Sequence, residues 1–263
     1  MGNTKDTLWL NLKELPYFRA LLRAVEASVY PTLNIPSPTL DLGCGDGHFA
    51  SVAFDRKLDV GVDPWWGPIR EASGRGCYLN LANTNGAFLP FPDGYFSSVV
   101  SNSVLEHIPP LDAVLGDVSR VMKKGAPFVF CVPNDRFLSA LSVGGFFDKV
   151  GLSGLGNQYR AFFNRISRHY HCDPPPVWEA RLGKAGFRIN RWWHYFPPKA
   201  LHVLEWGHYF GLPALVSKKL FGKWILAPYK WNLALTEKLT RPYFEAPIEN
   251  DDGVYTFYIA EKV

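Results

Sequence analysis

The chain has 263 residues, of which 47% are hydrophobic and 20% are charged, and its formal net charge is +4. A composition this apolar excludes a disordered chain, and so small a net charge disfavours a nucleic-acid partner. Aromatic residues make up 15% of the sequence and include nine tryptophans, which suggests apolar pockets or an interfacial surface.

The N-terminal segment, 1–38, is predicted to be helical. Apolar residues recur at helical spacing between Leu8 and Tyr30, and three prolines interrupt the chain before the first strand. The first six residues contain no basic stretch followed by an apolar core, and no apolar run is long enough to span a bilayer. These features predict a cytoplasmic protein, with peripheral membrane contact left open.

Between residues 39 and 133, short apolar runs alternate with helical patterns. The predicted strands are 39–42, 58–62, 78–82, 98–102 and 127–132, and the predicted helices are 46–54 and 111–122. Apolar strands that alternate with helices are typical of a parallel sheet covered on both faces. We therefore predict an α/β, Rossmann-like fold with a mostly parallel seven-stranded sheet, formed by residues 39–263.

Two insertions interrupt this alternation. Residues 134–172 are rich in glycine and apolar residues and are predicted to form a helical lid. A helix over 177–185 and a sixth strand over 187–193 follow. The second insertion, 197–247, combines aromatic residues with lysines and is predicted to form a helical cap before the last strand, 254–260.

The cysteines give no sign of a metal site. Cys44, Cys77, Cys131 and Cys172 are widely separated, and no Cys/His group has zinc-ligand spacing. We therefore predict four free thiols, as expected in a reducing compartment, and no metal ligands.

The glycine-rich turn after the first predicted strand is the most informative motif. Gly43, Gly45 and Gly47 alternate with other residues, so this loop can adopt positive φ and let a ligand approach its backbone. The helix that follows directs free N–H groups at the same place. A dinucleotide site requires glycine where this chain has His48, which disfavours a nicotinamide-dependent oxidoreductase.

Four motifs together resemble the class I S-adenosylmethionine-dependent methyltransferases. They are Asp41-Leu42-Gly43-Cys44-Gly45-Asp46-Gly47, Gly61-Val62-Asp63, Leu89-Pro90-Phe91-Pro92-Asp93-Gly94-Tyr95-Phe96 and Ser101-Asn102-Ser103-Val104-Leu105-Glu106-His107-Ile108. They occur at about the spacing of that family and cover 39–133 closely and the last strand loosely. The resemblance implies S-adenosyl-L-methionine as cofactor and methyl transfer to a small molecule.

The resemblance also implies a set of cofactor-binding residues. They are Asp41, Gly43, Cys44, Gly45, Gly47, Asp63, Pro64, Trp65, Asn85, Gly86, Asn102 and Ser103. In this set Asp41 would contact the cofactor's ammonium group and Asp63 the two ribose hydroxyls. Asn102 and Ser103 would face the sulfonium.

Two positions near the implied adenine site are less typical of the family. Asn85 stands where the family has an acidic residue that binds the adenine amino group, although an amide oxygen also accepts a hydrogen bond. Either Trp65 or Trp66 is expected beside the adenine, with packing against the sheet as the alternative.

The acceptor side is less defined. A general base is needed only if the nucleophile must lose a proton, and the candidates are His107, His169 and His171. The alternative for each is a histidine with no catalytic role. The two insertions are expected to shape a pocket for an apolar or lipid-linked small molecule. Lysines and aromatic residues over 212–239 are compatible with membrane contact, and a solvated helical cap is the alternative.

A nucleic-acid substrate is disfavoured on a second ground. Family members that methylate nucleobases carry an acidic or amide residue, two prolines and an aromatic residue after the fourth strand, where this chain has Ser101-Asn102-Ser103-Val104. Asp173-Pro174 lies elsewhere and is predicted to begin a helix that Asp173 caps. The alternatives to a methyltransferase are a non-catalytic scaffold of the same fold, binding a membrane or a partner, and an oxidoreductase. The oligomeric state is left open.

Overall fold

The computed structural model describes residues 5–263. The first four positions of the predicted N-terminal segment, and with them most of the stretch examined for a leader sequence, lie outside the described residues.

Seven strands form one sheet in the order β3-β2-β1-β4-β5-β7-β6. The strands are β1 (Thr39–Leu42), β2 (Leu58–Asp63), β3 (Tyr78–Asn83), β4 (Ser98–Asn102), β5 (Pro127–Pro133), β6 (Phe187–Tyr195) and β7 (Tyr255–Lys262). The first five strands pair in parallel, and β7 runs antiparallel to both of its neighbours, β5 and β6. The predicted fold class, a mostly parallel seven-stranded α/β sheet, is confirmed.

Helices cover both faces of this sheet. They are α1 (Thr7–Leu12), α2 (Tyr17–Val29), α3 (His48–Ala53), α4 (Trp66–Arg75), α5 (Leu111–Val121), α6 (Ser142–Lys149), α7 (Ser153–Ser167), α8 (Pro175–Lys184), α9 (Pro198–Phe210), α10 (Leu212–Phe221) and α11 (Lys230–Phe244). Neighbouring residues of β4 belong to different cores, because side chains alternate across a strand. Val100 packs in the core that contains α2, α3 and α9, whereas Val99 packs in the core that contains α5 and α8.

Two local expectations differ from the structure. Helix α4 was not predicted, because Gly67, Pro68 and Gly74 weaken its helical pattern and it buries only Ile69 and Ala72. Helix α8 begins at a proline as predicted, but its N-terminus has no side-chain cap. The carboxylate of Asp173 instead accepts a hydrogen bond from Arg181 at 2.9 Å. The four cysteines are free, as predicted.

The insertions contribute helices α6 and α7 in one case and α9, α10 and α11 in the other. None of the helices in the described part of the chain combines the length and apolarity that crossing a bilayer requires. The division of the chain at residue 38 stays a prediction. Helix α2 packs against α1 of the same segment and also against α3, α9 and α11 of the remaining chain.

Helix α2 is joined to the sheet by a buried carboxylate. Glu26 is fully buried and accepts hydrogen bonds from Asn102 (2.6 Å) and Ser103 (2.9 Å) at the end of β4, and from Tyr195 (2.9 Å) at the end of β6. Arg23, one turn earlier on α2, donates to it at 2.7 Å. A buried charge is tolerated when it is paired and fully hydrogen-bonded, and Glu26 meets both conditions.

We expect Glu26→Ala to lower the free energy of unfolding by about 3–5 kcal/mol, because four buried or half-buried donors lose their acceptor. Glu26→Gln should lose less, since it keeps one acceptor oxygen and the volume. Urea denaturation followed by tryptophan fluorescence measures the difference. Glu179→Ala, on the exposed side of α8, is the control and should stay within about 0.5 kcal/mol of the parent. A similar small loss for Glu26→Ala would contradict this role.

Candidate functional site

The strand order places a crevice between β1 and β4. Strands β2 and β3 extend the sheet on one side of this pair and β5 extends it on the other, so the connections from β1 and β4 leave in opposite directions. Ligands of open α/β sheets bind at such a point, outside the carboxyl ends of the strands. The loops that follow the two strands here are 43–47 and 103–110.

The glycine loop after β1 has the conformation that its sequence predicts. Gly43, Gly45 and Gly47 have φ of +77°, +55° and +74°, values that favour glycine. The backbone N–H groups of Gly43 and Cys44 both donate to the carbonyl oxygen of Val62, at 2.8 and 2.9 Å. These bonds hold the loop against the end of β2 and open its outer side to the crevice.

A cavity of about 420 Å³, here called the strand-end cavity, lies between these loops and the end of β2. It is lined by Leu42, Gly43, Val62, Asp63, Pro64, Trp65, Thr84, Asn85, Gly86, Ala87, Val104, His107, Ile108, Pro110 and Val114. Six of the implied cofactor residues are among them: Gly43, Asp63, Pro64, Trp65, Asn85 and Gly86. A mostly apolar pocket with a few polar groups at one end is suited to a nucleoside.

Asp63 is the charged group of the strand-end cavity. Its carboxylate accepts the N–H of Trp65 at 2.9 Å and the N–H of Gly45 at 3.1 Å, one on each oxygen. Each oxygen keeps lone pairs for further donors, so the group can also accept the two hydroxyls of a ribose. Burial raises the pKa of Asp63, against the two backbone hydrogen bonds that lower it.

Glycine is required at two positions of the lining for reasons of space. A Cβ on Gly43 would come within 2.4 Å of a Val104 methyl, and one on Gly86 would come within 2.9 Å of a Val114 methyl. The close contacts with Val104 and Val114 in the lining are therefore possible only because these two positions are glycine. This observation, together with Asp63, shows that the residues present fit an adenosine-containing cofactor.

The two less typical positions near the implied adenine site differ in placement. Asn85 lines the strand-end cavity, but its side-chain oxygen already accepts the N–H of Ala87 at 3.0 Å. Trp65 lines the cavity and Trp66 does not, and both rings are exposed. Of the two tryptophans, Trp65 is thus the one within reach of a bound nucleoside.

The remaining implied cofactor residues lie outside the lining of the strand-end cavity. Asp41 is buried and accepts a hydrogen bond from Tyr78 at 2.6 Å, and burial raises its pKa to about 6. Cys44 is buried, and burial raises the pKa of its thiol. Gly45 and Gly47 shape the loop. Asn102 points its amide at Glu26, so its side chain holds α2 in place.

A second and larger cavity, of about 750 Å³, lies beneath the insertions and α2 and is here called the helix-covered cavity. Its lining is Phe18, Arg19, Leu22, Arg23, Trp65, Ser103, Glu106, His107, Pro109, Phe137, Ile166, Ser167, Arg168, His169, Tyr170, Leu204, His208, Gly211, Leu212, Leu215, Trp224 and Tyr255. Trp65 and His107 line both cavities. The two spaces therefore meet at these side chains.

Positive charge dominates the polar part of the helix-covered cavity. Arg23 is paired with Glu26, whereas no carboxylate among residues 5–263 lies within ion-pair distance of Arg19 or Arg168. Arg19 lies over the ring of Trp224, 5.7 Å from its centre. The cavity thus offers apolar walls and two guanidinium groups without an acidic partner.

Three groups meet where the loop after β4 faces the end of α7. Ligand-type atoms of Glu106, His107 and His169 all lie within 4.8 Å of one another. Burial raises the pKa of Glu106 to about 8 and lowers that of His169 to about 3; it also lowers the pKa of His107. Both imidazoles are therefore neutral near pH 7. The third candidate, His171, lines neither cavity, and its Nε2 donates to the carbonyl oxygen of Ile108 at 3.0 Å.

Several residues of these cavities have no counterpart among the sequence predictions. Arg19, Arg23 and Phe18 come from α2, a helix with no predicted part in the site. One feature of the sequence could have indicated a role for α2. Glu26 falls on the apolar face of the helix, which also contains Leu22 and Val29, and a buried carboxylate there needs a buried hydrogen-bonding or charged partner. The predicted absence of metal ligands rested on the spacing of cysteines and histidines along the sequence, which could not reveal that His169 lies beside Glu106 and His107, more than sixty residues earlier.

The fold and the strand-end cavity together are typical of an α/β protein that binds a nucleoside-containing ligand at the carboxyl ends of its strands. Residues 13–191 match the family model described as "Methyltransferase domain". The match covers more than half of the chain, and the chain belongs to the class I S-adenosylmethionine-dependent methyltransferase family.

Relatives and solved structures agree with this placement. A probable S-adenosylmethionine-dependent methyltransferase of Mycolicibacterium smegmatis is 25% identical over 134 residues, which are 51% of this chain and 48% of that protein. The chain thus matches about half the length of this relative. A Thermotoga maritima structure, described as a possible histamine N-methyltransferase, has a TM-score of 0.57 at 15% identity and covers 94% of this chain and 90% of its own. The structure of geranyl diphosphate C-methyltransferase from Streptomyces coelicolor has a TM-score of 0.56 at 15% identity. The match covers 94% of this chain and 84% of that one. These two structures show a shared fold.

Gly43 and Gly45 form a matched pair for testing the loop. Both have positive φ, but a Cβ on Gly45 would meet nothing within 4 Å, whereas one on Gly43 would overlap Val104. We expect Gly45→Ala to cost about 1 kcal/mol for its backbone alone and Gly43→Ala to cost about 1–3 kcal/mol more. Chemical denaturation of the two variants measures this. Equal losses would contradict the close contact between the loop and Val104.

Proposed function

We propose that this protein transfers a methyl group from S-adenosyl-L-methionine to a small acceptor held in the helix-covered cavity. The main support for this proposal is that the strand-end cavity and the helix-covered cavity meet at Trp65 and His107. A transferase needs two binding spaces that share one wall, so that the reacting atoms are held together. When bound, S-adenosyl-L-methionine supplies a methyl group activated by the attached sulfonium.

The cofactor residues have distinct roles in this proposal. Asp63 accepts the ribose hydroxyls, Gly43 and Gly86 leave room for the nucleoside, and Trp65 and Asn85 border the base. Ser103 lines the helix-covered cavity with φ of +50°, a strained conformation held by its hydrogen bond to Glu26. Asp41, Gly45 and Gly47 lie outside the lining. Asp41 is hydrogen-bonded to Tyr78, and we assign its charge to attracting a nearby ammonium group, while the two glycines shape the loop.

For the acceptor we propose an apolar or lipid-linked molecule. The helix-covered cavity is walled by aromatic and aliphatic side chains from α2, α9 and α10, and the pair Arg19 and Arg168 suits an anionic end of such a molecule. His107 and His169 are neutral and face this cavity, so we assign them to orienting the acceptor. We assign no such role to His171, whose ring is bonded outside the cavity.

The exposed surface of α10 is unusually apolar, which suits a protein that takes up an apolar or lipid-linked acceptor. Helix α10 contains no buried residue, and its Leu212, Leu215, Val216 and Leu220 are each more than half exposed. Leu212 and Leu215 also line the helix-covered cavity. Exposed lysines are interspersed with these residues and with those of the following helix. They are Lys219, Lys223, Lys230 and Lys238. Apolar side chains among lysines favour an anionic bilayer, so we propose that the acceptor enters from a membrane surface.

Binding of S-adenosylhomocysteine tests the cofactor assignment. We expect calorimetry to detect it and to detect no binding of NAD, and we expect Asp63→Asn to weaken it at least 10-fold. Asp55→Asn is the control, since this carboxylate is 80% exposed, pairs with Lys5 and lines neither cavity. Unchanged affinity in Asp63→Asn, or preference for NAD, would overturn the assignment. Incubation with methyl-labelled S-adenosyl-L-methionine and lipid or aqueous cell extracts tests turnover. If S-adenosylhomocysteine binds but no molecule in these extracts becomes labelled, the result supports the alternative of a non-catalytic scaffold with the same fold.

Vesicle flotation tests the membrane proposal. We expect binding to vesicles that contain about one third phosphatidylserine, weaker binding to pure phosphatidylcholine, and release at high salt, because lysine contacts are screened. Leu220→Asp should reduce binding several-fold. Leu79→Asp is the control: Leu79 is similarly exposed, at 61% against 69%, but lies on β3. No flotation, or equal loss in both variants, would refute the proposal, and a stable dimer in solution would assign the surface to a second copy of the chain.

A further inference from the structure

We infer that Glu106, His107 and His169 form a binding site for a divalent transition-metal ion at one wall of the helix-covered cavity. The three ligand-type atoms lie within 4.8 Å of one another, and Glu106 Oε1 is 3.7 Å from His107 Nε2. Two imidazoles and one carboxylate are a donor set that binds zinc, iron(II) or cobalt(II) and leaves positions open for other ligands.

Unpartnered polar atoms point to a missing ligand. The Oε2 atom of Glu106 is buried and has no hydrogen-bond partner, and the whole residue is 1% exposed. The Nδ1 atom of His169 is also buried without a partner. Leaving buried polar groups unsatisfied is unfavourable, so two such atoms in one cluster call for an explanation. A metal ion would satisfy both at once.

The surroundings hold the three side chains in position. The Nδ1–H of His107 donates to the carbonyl oxygen of Arg168 at 3.0 Å, which leaves Nε2 as the ligand atom. A histidine that binds a metal usually makes such a bond with its other nitrogen. The backbone N–H of Tyr170 donates to the carbonyl oxygen of Glu106 at 2.7 Å. The loop that carries His169 is therefore fastened to the turn that carries the other two ligands.

The geometry and charge also set limits on this site. Ligands of a tetrahedral zinc ion at about 2.1 Å lie about 3.4 Å apart, so the side chains must close by roughly 1 Å on binding. Arg19 and Arg168 oppose a bare cation, and the ion should bind less tightly than structural zinc. The same two guanidinium groups would attract an anionic acceptor to the open side of the metal.

Metal titration of the full-length protein, treated first with a chelator, tests the inference without any use of catalysis. We expect one equivalent of Zn²⁺ to bind saturably in competition with a chromophoric chelator, and Co²⁺ to give visible absorption bands of a low-symmetry site. Glu106→Gln and His169→Ala should weaken Zn²⁺ binding at least 10-fold. Circular dichroism and the melting temperature verify that both variants are folded.

The matched control is His171→Ala, which removes a neighbouring histidine that is not in the cluster. It should bind Zn²⁺ as the parent does. The inference is overturned if the parent shows no saturable binding, or if His171→Ala loses as much affinity as His169→Ala. Because S-adenosylhomocysteine binding is measured separately, failure of the metal site leaves the proposed cofactor site untouched, and the reverse also holds.

Discussion

The buried carboxylate of Glu26 is the interaction on which the site depends. It draws donors from α2, from the end of β4 and from the end of β6 to one point. Since a buried charge is stable only when all of these bonds are made, α2 has one position on the sheet. That position brings Phe18, Arg19 and Leu22 over the crevice and makes α2 a wall of the helix-covered cavity.

The two cavities are built by different parts of the fold. The strand-end cavity is lined by the ends of β1 and β2, by the loops after β2, β3 and β4, and by Val114 of α5. Most of the helix-covered cavity is lined by α2 and by residues of the two insertions. Their shared side chains, Trp65 and His107, mark where two bound molecules would meet. This division explains why the cofactor class is well defined by family membership and the acceptor is not.

Much of the fold was predictable because it rests on local patterns. Apolar runs of four to seven residues gave the strands within a residue or two, and prolines and glycines marked their ends. Helix α4 was missed because its stability comes from contacts of Ile69 and Ala72 with the sheet, not from its own sequence. Asn102 was predicted to face the cofactor's sulfonium, but its amide is used by Glu26, a residue seventy-six positions earlier. The residues near Asn102 in the sequence contain no pattern that predicts Glu26 as its partner.

The sequence by itself determined where the strands lie along the chain, the glycine loop with its positive φ values, and the acidic residue at the end of β2. These features follow from short-range sterics and from the regular geometry of parallel strands. Only the tertiary structure decided which polar groups meet across long separations: Glu26 with Tyr195, and Glu106 and His107 with His169. The reason is physical, because burial and charge pairing depend on how insertions and helices pack, and the local residue pattern does not specify that packing.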